Sequence, residues 1–226
     1  MNIAVVLTGG TGSRLKRDFP KQFIEIDGCP LFIRTLENIL SVPEIGRVLL
    51  VINSDFCNRY EDLLAKFDLS DRVERVEGGS TRQESVEKAL KYLSTSCSEN
   101  DIVLIHDGAR PFVDREIIGK NLDICALKKE PVSTVLPITD TLIDAEYTLY
   151  EREKMFLVQT PQTFPFAMIL EFHRLAQERG WTSLSDDAQL AALCGRKVHF
   201  VEGSRFNIKV TKPEDLELAA LFGKIR

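Results

Sequence analysis

Short apolar runs alternate with stretches of helical period along this chain. Ile3 to Leu7, Arg47 to Ile52, Ile102 to Ile105 and Ser133 to Leu136 are rich in Val, Ile and Leu. Runs of that length and composition suit strands buried on both faces of a sheet. Between Thr81 and Leu93 the spacing changes, so that Val86, Ala89, Leu90 and Leu93 fall on one face of a helix. Thr81 and Glu84 form a capping-box pattern at its start. Thr211-Lys212-Pro213-Glu214 repeats that pattern before a last helix, with proline in the first turn. The alternation predicts βαβ units: an α/β fold with a mostly parallel twisted sheet and helices on both faces.

The rhythm breaks between Pro137 and Phe156, where β-like alternation carries several charges and little helical period. This reads as an extended hairpin, a β-arm at about 137–157, leaving a single domain that spans 1–226. Its apolar positions Leu142, Ile143, Tyr147 and Leu149 need a cover. Either a second subunit supplies it or the hairpin folds back on its own domain.

Composition narrows the function classes. Hydrophobic residues make up 44% and charged residues 28%, ordinary for a globular protein that can bury a full core. The net charge of −5 offers no basic surface for nucleic acid or an anionic membrane. Cys29, Cys57, Cys97, Cys125 and Cys194 are scattered and form no CxxC pair, so neither a zinc knuckle nor a redox motif is expected. The first residues lack a basic stretch and a long apolar run, and the expected location is the cytoplasm.

Candidate chemistry clusters where the expected strands end. The first strand runs into Thr8-Gly9-Gly10-Thr11-Gly12-Ser13-Arg14, followed by Pro20-Lys21-Gln22. In doubly wound sheets ligands bind at the carboxyl ends of strands, and glycines let backbone N–H groups approach a polyphosphate. Arg14 and Lys21 add full charges beside that loop. It is neither a Walker A loop nor the dinucleotide GxGxxG, which speaks against a dehydrogenase. Arg82 lies in the first turn of the Thr81–Leu93 helix, where the dipole disfavours a cation, and an ion pair or a phosphate contact would explain it. Asp107, at the end of the Ile102–Ile105 run, suits a divalent metal or a substrate hydroxyl, or a salt bridge to Arg110. His106 reads as a packed, satisfied histidine. Lys209, in the expected short strand Asn207–Thr211, either points to water or reaches a nucleotide's phosphates.

In order along the chain, GGTGSR, PKQF, EGGSTRQES, HDGARPF, TDT, QTPQTF, SDDA and NIKVTKPEDL resemble the cytidylyltransferase family that includes 2-C-methyl-D-erythritol 4-phosphate cytidylyltransferase and ribitol-5-phosphate cytidylyltransferase. The resemblance implies a Rossmann-like domain whose β-arm swaps across a homodimer. It implies that Thr8, Gly9, Gly10, Gly12, Gly79, Ser80 and Ser85 bind CTP. Arg14, Lys21 and Lys209 would be catalytic, surrounding the triphosphate and its Mg²⁺, most of which the phosphates hold, with Asp107 as the candidate protein ligand. Asp107, Arg110, Thr141, Thr160 and Ser185, with Arg152 from a partner's arm, would bind the acceptor phosphate. A small sugar- or polyol-phosphate is the implied second substrate.

The implied reaction joins CTP to that phosphate and releases pyrophosphate. A phosphate is already nucleophilic at neutral pH, so positioning and charge neutralisation carry the catalysis. The expected acceptor is 2-C-methyl-D-erythritol 4-phosphate. Thr8-Gly9-Gly10 looks more like the ribitol-phosphate enzymes, and Thr139 and Ser185 depart from the methylerythritol pattern, so D-ribitol 5-phosphate is the alternative. A nucleotide-binding module without turnover is the alternative of a different class.

Overall fold

The computed structural model describes residues 1–9, 20–182 and 184–224. Gly10, Gly12 and Arg14, expected to bind CTP or its triphosphate, lie outside the described residues. The strands are β1 (Asn2–Leu7), β2 (Glu25–Ile26), β3 (Cys29–Pro30), β4 (Arg47–Ile52), β5 (Glu74–Glu77), β6 (Ile102–Asp107), β7 (Val132–Pro137), β8 (Leu142–Ile143), β9 (Leu149–Tyr150), β10 (Phe156–Pro165) and β11 (His199–Glu202). The helices are α1 (Leu31–Leu40), α2 (Cys57–Lys66), α3 (Arg82–Leu93), α4 (Arg115–Lys128), α5 (Phe166–Arg179), α6 (Asp187–Leu193) and α7 (Pro213–Gly223).

Seven strands form one sheet in the order β11-β7-β10-β6-β1-β4-β5. β1 pairs in parallel with β4 and β6, β4 with β5, and β11 with β7, while β10 runs antiparallel to β6 and β7. The sheet is therefore mostly parallel, as the apolar runs predict. Within β1, alternate side chains face opposite sides, as strand geometry requires. Ala4 and Val6 pack with α1, α2 and α4 through Phe32, Leu36, Tyr60, Leu64, Ile118 and Leu122. Ile3 and Val5 pack with α3, α5 and α6 through Leu90, Leu93, Phe172 and Leu190. Burying each of these large side chains contributes about 1.5–3 kcal/mol.

β5, β10 and β11 are additions to the expected strands. β5 and β11 are four residues each, with three and two polar residues respectively, too short for periodicity to register. β10 is broken by a register shift between Gln159 and Gln162, beside the cis peptide Thr160–Pro161. Conversely, no strand forms at Lys209: Asn207 lies in a bend and residues 208–210 have no regular secondary structure, with Val210 N bonded to Ala109 O at 2.9 Å.

The start of α3 differs in detail from a capping box, and the box at α7 is shifted by one residue. Thr81 accepts from Glu84 N at 3.0 Å as expected, but the Glu84 carboxylate accepts from Ser80 N and Ser80 Oγ. At α7 the acceptor is Asp215, one residue beyond Glu214, bonded by Thr211 N, Thr211 Oγ1 and Lys212 N.

The arm leaves the sheet between Pro137 and Phe156 as the hairpin β8–β9. Asp144 accepts from Glu146 N, Thr148 N and Tyr150 Oη, which holds Tyr147 at φ 65° in the turn. Tyr147 is 78% exposed and Leu149 68%, so the described chain does not fold back to cover its own arm.

The sheet's stability rests on the helix–sheet contacts rather than on the arm. Leu90→Ala should lower the unfolding free energy by about 2–5 kcal/mol, measured by urea denaturation.

Candidate active site

The carboxyl ends of β1, β4, β5 and β6 open into a cleft of about 870 Å³. Lys21, Arg82, Lys88 and Lys209 line it with Glu77 and Asp107, four cations against two carboxylates among the described lining residues. In a chain of net charge −5, that is a local reversal suited to an anionic ligand.

The β1 end is locked by polar contacts. Thr8 Oγ1 donates to Val51 O at 2.6 Å, and Thr8 O accepts from Tyr60 Oη at 3.1 Å. Tyr60 Oη in turn accepts from Gln22 Nε2 at 2.9 Å. This buried chain fixes the segment after Pro20, where Lys21 Nζ donates to Val210 O at 3.0 Å. The β6 end comes equally close. A Cβ on Gly108 would sit 2.4 Å from Thr8 Cγ2, so only glycine lets the β1 and β6 termini meet.

Asp107 is the centre of the charge pattern. Lys209 Nζ lies 2.8 Å from its Oδ2, Arg110 Nε 3.5 Å from Oδ2 and Arg82 Nε 3.7 Å from Oδ1. Burial pushes the carboxyl pKa up, yet Lys209, Arg82 and Arg110 outweigh it and hold Asp107 well below the usual carboxylate range. Arg82 also donates to Asp187 Oδ2 at 2.6 Å, and Asp187 Oδ1 meets His173 Nε2 at 3.1 Å. The ion pair is thus the job that offsets the cation's place in the first turn of α3.

His106 is fully buried and satisfied, as its apolar strand suggests. Arg110 O can only accept, so a neutral His106 is protonated on Nε2, which reaches that oxygen at 3.3 Å. Its Nδ1 accepts from Thr160 Oγ1 at 3.1 Å, and Thr160 Oγ1 accepts from Asp107 N at 3.1 Å. Burial depresses the His106 pKa to about 4 and keeps the ring neutral.

The structure brings together most of the described candidates. Thr8, Gly9, Lys21, Gly79, Ser80, Ser85, Asp107, Ser185 and Lys209 all line the cleft. Ser85 Oγ accepts from Gly79 N at 3.0 Å and donates to Thr81 O at 2.8 Å, shaping the turn before α3. Arg110 stands behind Asp107, donating to Asn207 O at 2.8 Å. Thr160 is not on the cleft wall, because its hydroxyl is spent on Asp107 N and His106. Thr141 and Arg152 sit on the arm, away from this cleft, and Arg152 donates to Thr139 O at 2.9 Å.

Sequence reasoning passed over Lys88, which lines the cleft and donates to Gly78 O at 2.8 Å. The signal was available: Thr81, Ser85 and Lys88 recur at helical spacing on one side of α3. Asp187 carried no such signal, since its partner Arg82 is remote in sequence.

Comparison with known proteins adds to this geometry. Residues 2–223 match the family model for 2-C-methyl-D-erythritol 4-phosphate cytidylyltransferase. A protein of that name from Thermosipho melanesiensis is 36% identical over 96% of both chains. A ribitol-5-phosphate cytidylyltransferase from Lactiplantibacillus plantarum is 31% identical over 97% of both. The crystal structure of 4-diphosphocytidyl-2C-methyl-D-erythritol synthase from Anaerococcus prevotii superposes with a TM-score of 0.83 at 29% identity, over 99% of this chain and 96% of that one.

The neutral His106 has a pH consequence. An unfolded histidine takes up a proton below about pH 6.5, whereas the folded ring resists protonation until about 4. Between those values the unfolded state binds more protons, so stability falls as pH falls. In His106→Gln the slope of unfolding free energy with pH between about 6.5 and 4 should be shallower by up to about 1.4 kcal/mol per unit, read from urea titrations at each pH.

Proposed function

Because the chain belongs to the 2-C-methyl-D-erythritol 4-phosphate cytidylyltransferase family, we propose that it transfers CMP from CTP to 2-C-methyl-D-erythritol 4-phosphate and releases pyrophosphate. The observation that carries the reading is the cation-rich cleft at the strand ends, built on Asp107, Arg82, Arg110 and Lys209, in a chain matched from end to end by that family.

The acceptor's phosphate oxygen attacks the α-phosphorus of CTP in line, the bond to the bridging oxygen breaks, and pyrophosphate leaves with the electron pair. Both reactants are anions, so the barrier is largely electrostatic. Lys21, Lys209 and Arg14 neutralise the charge that develops around the α-phosphate. The turn Gly78–Thr81, held by Ser85 and Lys88, supplies backbone groups to the cytosine. Asp107 aligns Lys209 and Arg110 by its ion pairs, and Ser185 closes the cleft on the α6 side.

A divalent cation is proposed to enter with CTP. The described residues contain no group of three His, Cys, Asp or Glu side chains able to hold a metal. Asp107 already faces three cations, so its donor set does not fit a metal held by the protein itself.

The active form is proposed to be a homodimer. Exposed Tyr147, Leu149 and Tyr150 on the arm, with Phe156, Leu157 and Phe200 at its base, form an apolar surface that a second copy would cover. That arrangement would carry Thr141 and Arg152 to the partner's cleft, where they would meet the acceptor. No helix among the described residues is long and apolar enough to cross a membrane, in keeping with a cytoplasmic enzyme.

Pyrophosphate release from CTP and Mg²⁺ should require 2-C-methyl-D-erythritol 4-phosphate. Turnover with D-ribitol 5-phosphate alone would transfer the assignment to that acceptor, and silence with both would refute the proposal. Lys21→Ala should lose about 2–4 kcal/mol of transition-state stabilisation, read as kcat/KM. Light scattering should give twice the 25.6 kDa of one chain, and a monomer at micromolar concentration would remove the swapped arm.

A further inference from the structure

Arg205 stands at the tip of a turn that the rest of the fold holds firmly. Asn207 N donates to Ser204 O at 3.0 Å, and Phe206 N to Ser204 Oγ at 3.1 Å. Gln159 ties both ends of the turn, its Nε2 donating to Ser204 O at 3.0 Å and its Oε1 accepting from Asn207 Nδ2 at 3.2 Å. The chain approaches Gln159 so closely at Gly203 that a Cβ there would lie 2.3 Å from Oε1. A long, exposed arginine on such a fixed support is presented in one place.

That place is the base of the arm. Arg205 Nη2 donates to Thr139 Oγ1 at 3.1 Å, and Arg152 Nη1 donates to Thr139 O at 2.9 Å. Two guanidinium groups therefore converge on one threonine. Arg152 has a neighbouring carboxylate, Glu153, at 3.2 Å, but both side chains are at least half exposed and such a pair is weak. Arg205 has no carboxylate within ion-pair distance among the described residues. Both guanidinium groups are exposed, so water screens their mutual repulsion and leaves their free donors open to an anion. Each planar fork keeps donors unspent, and their geometry matches the oxygens of a phosphate.

We infer that Arg205 and Arg152 form one arginine fork that binds the phosphomonoester of the acceptor, with Arg205 a specificity-determining residue of the reaction. The inference rests on the function proposed above, in which Arg152 meets the acceptor. Both side chains bond to Thr139, so a dianion that Arg152 binds beside that residue would also meet the Arg205 guanidinium. The same turn also connects the fork to the cleft chemistry, because Asn207 O accepts from Arg110, the neighbour of Asp107. Arg152 belongs to the arm and Arg205 to the turn held by Gln159, and the two meet at Thr139.

The test compares Arg205→Ala and Arg205→Lys with the unaltered full-length protein, using CTP and 2-C-methyl-D-erythritol 4-phosphate. The alanine variant should raise the acceptor KM by about tenfold or more, the worth of a lost charged hydrogen bond. The CTP KM should stay unchanged, and the lysine variant should recover part of the loss. Inorganic phosphate should compete with the acceptor, more weakly against the alanine variant. An unchanged acceptor KM, or equal rises for both substrates, would overturn the fork. Should the unaltered protein turn over neither acceptor, the proposed function fails, and calorimetric titration with inorganic phosphate then reads the fork alone. Binding lost in Arg205→Ala and in Arg152→Ala supports it, whereas equal affinity in all three proteins overturns it. Arg205 is exposed, so the melting temperature should not move, and that control separates lost binding from lost fold.

Discussion

A single buried carboxylate organises this molecule's functional end. Asp107 is taken out of water at the tip of β6, and an isolated charge there would cost several kcal/mol. It is tolerated because three cations converge on it from three separate parts of the chain: Arg82 from α3, Arg110 from the loop after β6, and Lys209 from the segment before α7. The converse also holds. Arg82, Arg110 and Lys209 would repel one another without the carboxylate, so Asp107 is what allows cations to be gathered at this cleft. The balance is specific to geometry, because a change in any one distance unbalances the other charges.

Much of the surrounding fold serves to keep that geometry. Gly108 lets β1 and β6 end side by side, and Thr35 Oγ1 on α1 donates to Gly108 O at 3.1 Å. On the other side, Thr160 and the neutral His106 hold the Asp107 backbone N–H and the Arg110 carbonyl in one chain of hydrogen bonds. Asp187 and His173 fix the far end of Arg82. These side chains are polar and buried and form connected networks, with Arg82 Nη2, Arg110 Nε and His173 Nδ1 left without a hydrogen-bond partner among the described residues. The antiparallel strand β10 is central to this. It carries Gln159, Thr160 and Gln162, which reach respectively the Ser204–Asn207 turn, the Asp107–His106 pair and the start of α6.

The arm has the opposite character. Its hairpin is short, its apolar residues are exposed, and its hydrogen bonds are local ones around Asp144. Arg152 bonds within the arm to Thr139, and Arg205 of the Ser204–Asn207 turn reaches the same threonine from outside it. The turn and the arm meet there through the Arg205 guanidinium.

Local pattern was enough to read β1, β4, β6, β7, α3 and the limits of the arm, because burial on two sheet faces imposes a composition on each segment. It was enough to expect Lys21 and Asp107 beside the strand ends, and both line the cleft there. The ordered blocks of sequence also pointed to the family that the whole-chain comparison bears out. The short or polar strands β5, β10 and β11 were not legible, since their stability comes from partners far along the chain rather than from their own periodicity. Arg82 with Asp187, Lys209 with Asp107 and Arg205 with Thr139 likewise leave no local trace. Those pairs exist only once the sheet order has set distant segments side by side, and only the tertiary structure could decide them.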